Sequence, residues 1–237
     1  MLIHRRFAPL IRFLQDRLTP GGYLGLHLTV GAAIIVLASW WFGGVAEDVI
    51  TGDPLVILDQ KIAVWFHEHA TGTLTHVAIY ITSLGSVAFL GGASLVTAVF
   101  FLWRRDWHWL LTLALTMGGG SLLNLLLKYL FHRERPILEQ PIMTLASYSF
   151  PSGHGMGATL FYGLAAIFIA ARLASWRWRV PVFLSAFFLI LLIGLTRIYL
   201  GVHYLSDVMG AMAAGLAWLA FCVTAVETLR MRRAVIR

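Results

Sequence analysis

Residues 180–201, VPVFLSAFFLILLIGLTRIYLG, form an apolar run in which Arg197 is the single charged residue. A helix rises 1.5 Å per residue, so this run extends about 33 Å, and a bilayer's hydrocarbon core is about 30 Å thick. A run of this length with so little charge is typical of a transmembrane helix. It therefore predicts one membrane span.

Five further stretches of the same kind predict spans at about 23–43, 75–103, 107–131, 154–173 and 205–226. The composition agrees, because 59% of the residues are hydrophobic, 12% are charged and the mean hydropathy is +0.80. Soluble domains average roughly 45–50% apolar and 25% charged residues, so a soluble monomer is excluded. The predicted fold is an all-α polytopic membrane bundle of six transmembrane helices.

Basic residues predict how this bundle is oriented. Six spans place both termini on one side, and thirteen of the 18 lysines and arginines fall on that side. The excess of positive charge in cytoplasmic loops then makes both termini cytoplasmic. Topology thus explains most of the net charge of +7, and no nucleic-acid partner is expected. The other five basic residues lie near the outer face and need another explanation: Lys61, Lys128, Arg133, Arg135 and Arg197.

Residues 1–22 precede the first span and differ from it. Leu10, Ile11, Leu14 and Leu18 recur at helical spacing with arginines between them, which favours an amphipathic helix on the membrane surface over a signal peptide. The first outer loop, about 44–74, contains a second helical stretch expected to lie along the surface. The predicted organisation is an interfacial segment, 1–22, followed by one six-span domain, 23–237.

Three short strings of polar residues map to the outer face of the bundle. The first begins at Lys128 near the end of the third span and ends at Arg135-Pro136. The second, Pro151-Ser152-Gly153-His154, opens the fourth span. The third runs from Thr196-Arg197 through His203 to Asp207, between the last two spans.

Each string suits a phosphate site. Pro151 is compatible with a first helical turn, Gly153 allows close backbone approach, and free N–H groups at a helix start attract an anion. Lys128, Arg135 and Arg197 add up to three positive charges, with guanidinium groups matched to phosphoryl oxygens. The strings together predict an oxyanion site.

The histidines add the means for covalent chemistry. If the sixth helix begins here, His203 and Asp207 are i, i+4 partners, so the carboxylate holds one imidazole nitrogen and leaves the other free to attack. His154 is a second, separate histidine. A nucleophile and a general acid are what hydrolysis through a phospho-enzyme requires, because the leaving alkoxide must be protonated.

With these three strings in this order, the chain resembles the type 2 phosphatidic acid phosphatase (PAP2) family of integral-membrane lipid phosphatases, over about residues 55–226. Thr196 stands where the family usually has serine, and its hydroxyl is retained. The resemblance implies that His203 is the nucleophile, Asp207 its orienting carboxylate and His154 the general acid. It also implies a set of phosphate-binding residues, namely Lys128, Arg135, Ser152, Gly153 and Arg197.

The resemblance further implies a metal-independent enzyme without a cofactor. His67, Glu68, His69 and His76 invite a metal hypothesis, but His67 and His69 point in different directions on a helix, which favours a surface or packing role. By the same resemblance, the substrate is a lipid phosphate or pyrophosphate of the undecaprenyl diphosphate, phosphatidylglycerol phosphate or phosphatidic acid type. The protein is then expected in a bacterial plasma membrane, with its site facing the periplasm or the cell exterior.

Three alternatives remain at this point. A lipid phosphotransferase on the same scaffold would pass the phosphoryl group to an alcohol instead of water. Vanadium haloperoxidases share the oxyanion site but are soluble, so the span pattern argues against them. A transporter or structural membrane protein would use the same charges as an ion path. The sequence does not predict an oligomeric state.

Overall fold

The computed structural model of the protein describes residues 25–52, 54–138, 142 and 146–236. The interfacial segment predicted for residues 1–22 lies outside this range. Throughout the described residues the regular structure is helical, and no strand occurs. The prediction of an all-α fold is therefore confirmed.

Within the described ranges nine α-helices follow in order: α1 (Leu26–Thr51), α2 (Pro54–Glu68), α3 (Gly72–Ser83), α4 (Val87–Trp103), α5 (Trp107–Ala114), α6 (Gly120–Phe131), α7 (Gly153–Ala170), α8 (Trp176–Tyr199) and α9 (Leu205–Ile236). Helices α5 and α6 are joined without a break by a π-helical turn at Leu115–Gly119. The described residues contain six helical segments long and apolar enough to span a membrane. Helices α3 and α4 together count as one of these segments, and so do α5 and α6. The predicted six spans are thus confirmed.

Two boundaries differ from the sequence prediction. Helix α1 continues to Thr51, eight residues past the predicted end, and stops where Gly52 adopts the left-handed conformation at φ 77°. The second span is interrupted near residue 85, where a Cβ on Gly85 would lie 2.7 Å from the Ile193 side chain. Close packing against α8 therefore requires glycine at this break.

Helices α7 and α9 form the centre of the bundle. In each, 44% of an 18-residue apolar window is buried, against 17% in α1. Small residues permit their close contact: a Cβ on Gly155 would lie 3.3 Å from Ala211, and one on Gly215 would lie 3.0 Å from Thr159. Without a hydrophobic force between helices in lipid, such close backbone packing is a main source of association.

The outer surface of the bundle is strongly apolar. Large side chains such as Trp40, Val87, Trp103 and Leu130 are more than 70% exposed. A soluble monomer rarely leaves so much contiguous apolar surface uncovered. This surface is what contact with lipid chains requires.

One end of the bundle, called here the site end, brings together the end of α6, the start of α7 and the turn between α8 and α9. Two backbone hydrogen bonds tie these segments: Ser149 N–H donates to the Arg133 carbonyl at 2.8 Å, and Ser152 N–H donates to the Asp207 carbonyl at 3.0 Å. Helix α2 lies at the same end and contacts α8 and α9. The three motif strings therefore meet in space.

Candidate active site

The turn from α8 to α9 holds Arg197 and His203 close together. Gly201 has a φ of 69°, Gly201 N–H donates to the Ile198 carbonyl at 2.9 Å, and Val202 N–H donates to the Arg197 carbonyl at 3.2 Å. This pair of bonds is the Schellman arrangement, whose left-handed position favours glycine. Gly201 therefore ends α8 and turns the chain so that His203 lies beside the end of the helix that carries Arg197.

His203 is held at both ring nitrogens. Its Nδ1 lies 3.4 Å from Asp207 Oδ2, and its Nε2 lies 3.3 Å from Arg135 Nη1. A carboxylate only accepts hydrogen bonds and a guanidinium only donates them, so Nδ1 carries the proton and Nε2 carries the lone pair. The i, i+4 relation expected from the sequence thus places the carboxylate on one nitrogen and leaves the other as a potential nucleophile.

The charge state of His203 fits that role. Its side chain is 2% exposed, and burial lowers the pKa of His203 from 6.5 to about 4, although the hydrogen bond that His203 donates to Asp207 opposes the shift. A buried imidazole is penalised when it is charged. At neutral pH the ring is therefore uncharged, and the lone pair on its Nε2 accepts a hydrogen bond from Arg135 in this structure.

Asp207 is fully buried and accepts several hydrogen bonds. Tyr204 N–H donates to Oδ2 at 2.8 Å, Ser149 Oγ–H also donates to Oδ2, and Arg133 Nη1 donates to Oδ1 at 2.7 Å. A carboxylate with this many donors is both ionised and fixed in rotation. It can orient the histidine without moving itself.

The start of α7 presents free backbone donors. Ser152 is the N-cap, and its Oγ accepts from Gly155 N–H at 3.3 Å. Met156 N–H is bonded to the Ser152 carbonyl, which leaves the N–H groups of Gly153 and His154 without a partner among the described residues. Unpaired N–H groups at a helix start form an anion site. The helix begins at Gly153, so Pro151 precedes the cap instead of lying in the first turn as its sequence suggested.

Arg197 carries buried hydrogen-bond donors suited to an anion. The side chain is 1% exposed and donates from Nη1 to Thr82 Oγ1 at 3.0 Å, whereas its Nε and Nη2 are buried with no hydrogen-bond partner among the described residues. Buried polar atoms are almost always paired, because an unpaired one costs about 1–3 kcal/mol and a charged one costs more. Two orphaned guanidinium nitrogens fit the oxygens of a bound phosphate.

Lys128 and Arg135 donate hydrogen bonds to backbone carbonyls in the loops of the site end. Lys128 Nζ donates to the Tyr148 carbonyl, and Arg135 donates to the Ser147 carbonyl at 2.7 Å and the Val202 carbonyl at 2.5 Å. These bonds position both cations at the site end beside His203. Arg135 Nη1 is shared with His203 Nε2, so a phosphate entering there would meet this guanidinium first.

His154 lies close to the same charged groups. It is within electrostatic reach of Arg197, His203 and Arg135, and its Cβ and Cδ2 lie 3.4 Å from where a Cβ on Gly85 would be. The break between α3 and α4 therefore leaves room for this imidazole. All eight residues expected at the site are brought to this end of the bundle.

Sequence reasoning missed two charged residues that complete the site. Arg133 donates from Nη2 to Asp59 Oδ2 at 2.9 Å as well as to Asp207, and Asp59 is fully buried. The sequence pattern that could have identified Asp59 lies in α2, where Asp59 shares a helical face with Leu55 and the buried Ala63. An acidic residue on an apolar face usually has a buried partner.

The metal hypothesis for the first outer loop gains no support. No cluster of three or more His, Cys, Asp or Glu side chains suited to a metal ion occurs in the parts of the chain that the structure describes. His69 Nδ1 instead lies 2.8 Å from the Trp65 carbonyl, and its ring stacks on Trp65 at a centroid distance of 4.6 Å. This contact fits the packing role weighed against metal binding.

Comparison with known proteins identifies the family to which the chain is similar. Residues 109–231 match the family model described as the PAP2 superfamily. The chain is 36% identical to phosphatidylglycerophosphatase B of Bacillus subtilis (strain 168) over 154 residues, covering 64% of this chain and 71% of that protein. It is 27% identical to undecaprenyl-diphosphatase BcrC of the same strain over 153 residues, covering 62% of this chain and 72% of that protein.

Solved structures share the fold. The crystal structure of a transmembrane PAP2 type phosphatidylglycerolphosphate phosphatase from Bacillus subtilis has a TM-score of 0.73 at 31% identity, covering 80% of this chain and 94% of that chain. The crystal structure of Aquifex aeolicus LpxE has a TM-score of 0.53 at 23% identity, covering 70% of this chain and 94% of that chain. The second likeness concerns the fold alone.

Proposed function

This chain belongs to the PAP2 superfamily and is a lipid phosphate hydrolase, and we propose that it removes a phosphate or pyrophosphate group from a membrane lipid through a phosphohistidine on His203. The observation that carries the proposal is the pair of buried, unpartnered nitrogens on Arg197. They lie at the same end of the bundle as the free N–H groups of α7 and the Nε2 lone pair of His203. A tetrahedral phosphoryl group would satisfy all of these groups together.

The first half of the reaction transfers the phosphoryl group to the protein. His203 Nε2 attacks phosphorus, the bond from phosphorus to the lipid oxygen breaks, and His154 donates a proton to that oxygen. The phosphohistidine ring then carries a positive charge, which the Asp207 carboxylate stabilises through Nδ1. Lys128, Arg135, Arg197, Ser152 and Gly153 hold the phosphoryl oxygens throughout.

The second half releases phosphate. His154, now neutral, takes a proton from water as the water oxygen attacks phosphorus, and the bond between phosphorus and Nε2 breaks. The products are inorganic phosphate and the starting form of His203, with His154 protonated again for the next substrate. No metal ion is required for either half.

An apolar groove favours a lipid over a soluble phosphate. It has a volume of about 400 Å³ between α2, α3 and α8. Ile81 and Thr196 line it, and they are sequence neighbours of the paired residues Thr82 and Arg197. A hydrocarbon chain lying there would keep its headgroup at the phosphate cradle. The names of the relatives make a prenyl diphosphate or a glycerolipid phosphate the favoured substrate class.

A panel of lipid phosphates assayed with purified protein in detergent tests this function. We expect phosphate release from a lipid substrate that persists in EDTA and disappears with His203→Ala. Product that forms only with an added alcohol, with little free phosphate, would identify a phosphotransferase instead. Loss of activity in EDTA that a divalent metal restores would contradict the metal-free mechanism.

We also place the protein in a bacterial plasma membrane, with both termini cytoplasmic and the site facing outward. The supporting observation is the excess of basic residues on the side of the termini. Single cysteines near Gly72 and near Arg177, in a Cys222→Ala background, test this orientation in intact cells. An impermeant thiol reagent should label the Gly72 position, and labelling of the Arg177 position alone would reverse the orientation.

A further inference from the structure

Behind the candidate nucleophile lies a buried ionic network that joins Asp207 to two charged residues without a role in phosphate binding. Arg133 bridges two carboxylates, donating to Asp207 Oδ1 at 2.7 Å and to Asp59 Oδ2 at 2.9 Å. Both carboxylates are fully buried, and the Arg133 side chain is 11% exposed. Ser206 closes the network, since its N–H donates to Asp59 Oδ1 at 2.9 Å and its hydroxyl also contacts Asp59.

Arg133 is not arranged to hold phosphate. Its Nη1 donates to Ser206 Oγ at 2.5 Å as well as to Asp207, its Nη2 is taken by Asp59, and its guanidinium carbon lies 4.5 Å from the centre of the Tyr204 ring. This is the opposite of Arg197, which has two unpartnered nitrogens. Arg133 would have to break a buried ion pair to bind an anion, and that break is costly.

We propose that Arg133 and Asp59 are positioning residues, which fix the Asp207 carboxylate so that His203 presents Nε2 to the phosphoryl group. The proposal rests on the roles of His203 and Asp207 given above. Asp59 lies on α2, the helix between the first two spans, so this helix takes part in the site through Arg133. Neither residue touches the substrate.

Two physical effects support this role. First, Arg133 holds Oδ1 while Oδ2 faces His203, so the carboxylate cannot rotate away, and a displacement of about 1 Å at a reacting group can cost on the order of 10²-fold in rate. Second, the single positive charge of Arg133 lies between two buried negative charges. It balances the charge around His203, whose ring must be neutral before attack and positively charged after it.

The kinetic test compares Arg133→Gln, Arg133→Lys and Asp59→Asn with the wild type. We expect Arg133→Gln to lower kcat by on the order of 10²-fold with KM changed less than about threefold, because Arg133 does not contact substrate. Arg133→Lys, which keeps the charge, should recover part of the loss. The exposed neighbours supply matched controls, and Glu134→Gln and Lys61→Gln should leave kcat unchanged.

A double variant tests whether Asp59 acts through Arg133. If it does, kcat of the double variant Asp59→Asn, Arg133→Gln should differ by less than about threefold from kcat of Arg133→Gln alone. The reason is that the effect of Asp59 on Asp207 would pass entirely through Arg133. Multiplication of the two separate losses would show that Asp59 acts by another route and would overturn this part of the proposal.

The pH profile separates positioning from a purely structural role. The charged and titratable groups facing His203 are Asp207 on α9, Arg197 on α8, His154 on α7 and Arg135 in the loop, with Lys128 on α6 beside Arg135. Arg133→Gln removes a positive charge behind Asp207, so His203 should take up a proton more easily. The acid limb of kcat/KM should therefore move to higher pH, by on the order of half a pH unit to one pH unit. Arg133→Lys should leave the limb near its wild-type position.

All rates are measured on monodisperse protein in detergent and are expressed per folded molecule. The network would be purely structural if Arg133→Gln kept the wild-type kcat and the wild-type acid limb and lost only yield of folded protein. A raised KM with unchanged kcat would make Arg133 a substrate ligand. Either result overturns the proposal while leaving the hydrolase function intact, whereas full activity of His203→Ala would refute the function itself.

Discussion

The two ends of the bundle both carry arginines and carboxylates, but they use them differently. At the end opposite the site, Arg172 pairs with Asp106 at 3.4 Å and Arg230 pairs with Glu227 at 2.5 Å, and the two arginine side chains are 46% and 52% exposed. At the site end, Arg197 is almost fully buried and has two nitrogens without a partner. Charge alone therefore does not mark a functional region.

What distinguishes the site end is unsatisfied bonding capacity in a buried place. An exposed ion pair contributes roughly 0–1 kcal/mol and has water as an alternative partner. A buried guanidinium without a partner carries a penalty that a bound anion removes. The comparison thus predicts large functional effects at one end and small ones at the other.

The largest expected effect separates the two histidines. His203→Ala should be inactive on every substrate, because no leaving group compensates for a missing nucleophile. His154→Ala should be impaired on a lipid phosphate but recover with p-nitrophenyl phosphate, whose phenolate leaves without a proton, by on the order of 10²- to 10⁴-fold.

Initial rates on both substrates measure this difference, and wild-type turnover of the smaller substrate is the control. Equal defects of the two variants on both substrates would mean that His154 is not the acid.

Substitution of Arg197 is expected to give the next largest effect. Arg197→Lys keeps the charge but loses the planar fork, and we expect kcat/KM to fall by about 10²- to 10³-fold, with a parallel loss of inhibition by orthovanadate. Arg172→Lys, at the opposite end, is the matched control and should behave as wild type. Steady-state kinetics with and without vanadate measure both effects, and equal behaviour of the two variants would remove the contrast between the ends.

The pH dependence of His203, the proposed nucleophile, gives a smaller effect. Burial lowers the pKa of His203 to about 4, so its neutral, attacking form persists as pH falls below 6.5 and is lost only on approach to 4. With p-nitrophenyl phosphate, which does not need the proton from His154, we expect kcat/KM, corrected for the ionisation of the substrate phosphate, to hold between pH 7 and about 5. A limb centred near 6.5 would indicate an exposed histidine instead. Phosphorus NMR of the substrate supplies the correction.

The last comparison makes the same substitution at both ends and measures stability instead of rate. Asp59→Asn removes one partner of a buried ion pair and should lower the free energy of unfolding by about 3 kcal/mol or more. Asp106→Asn removes a partner of a half-exposed pair and should cost less than about 1 kcal/mol, with unchanged kcat. Thermal unfolding in detergent measures both, and similar losses would show that burial does not separate these ends.

The amino-acid sequence alone was enough to predict the six helical spans, since span length and apolar content follow directly from the thickness of a hydrocarbon core. It also placed eight candidate site residues at one end of the bundle, because their strings lie at the ends of predicted spans. These predictions needed only the spacing of residues within one span or one short string. The i, i+4 pair of His203 and Asp207 is the clearest case, as one helical turn brings the two side chains together.

The packing of the helices determines which of these groups have partners. Arg133, Arg135 and Arg197 look alike in the sequence, yet Arg133 is saturated by two carboxylates, Arg135 is shared between loop carbonyls and His203, and Arg197 keeps two free nitrogens. The partner Asp59 is 74 residues from Arg133 along the chain. No local pattern encodes a contact over that distance, because it arises only when helices packed by their small residues bring separate segments to one end of the bundle.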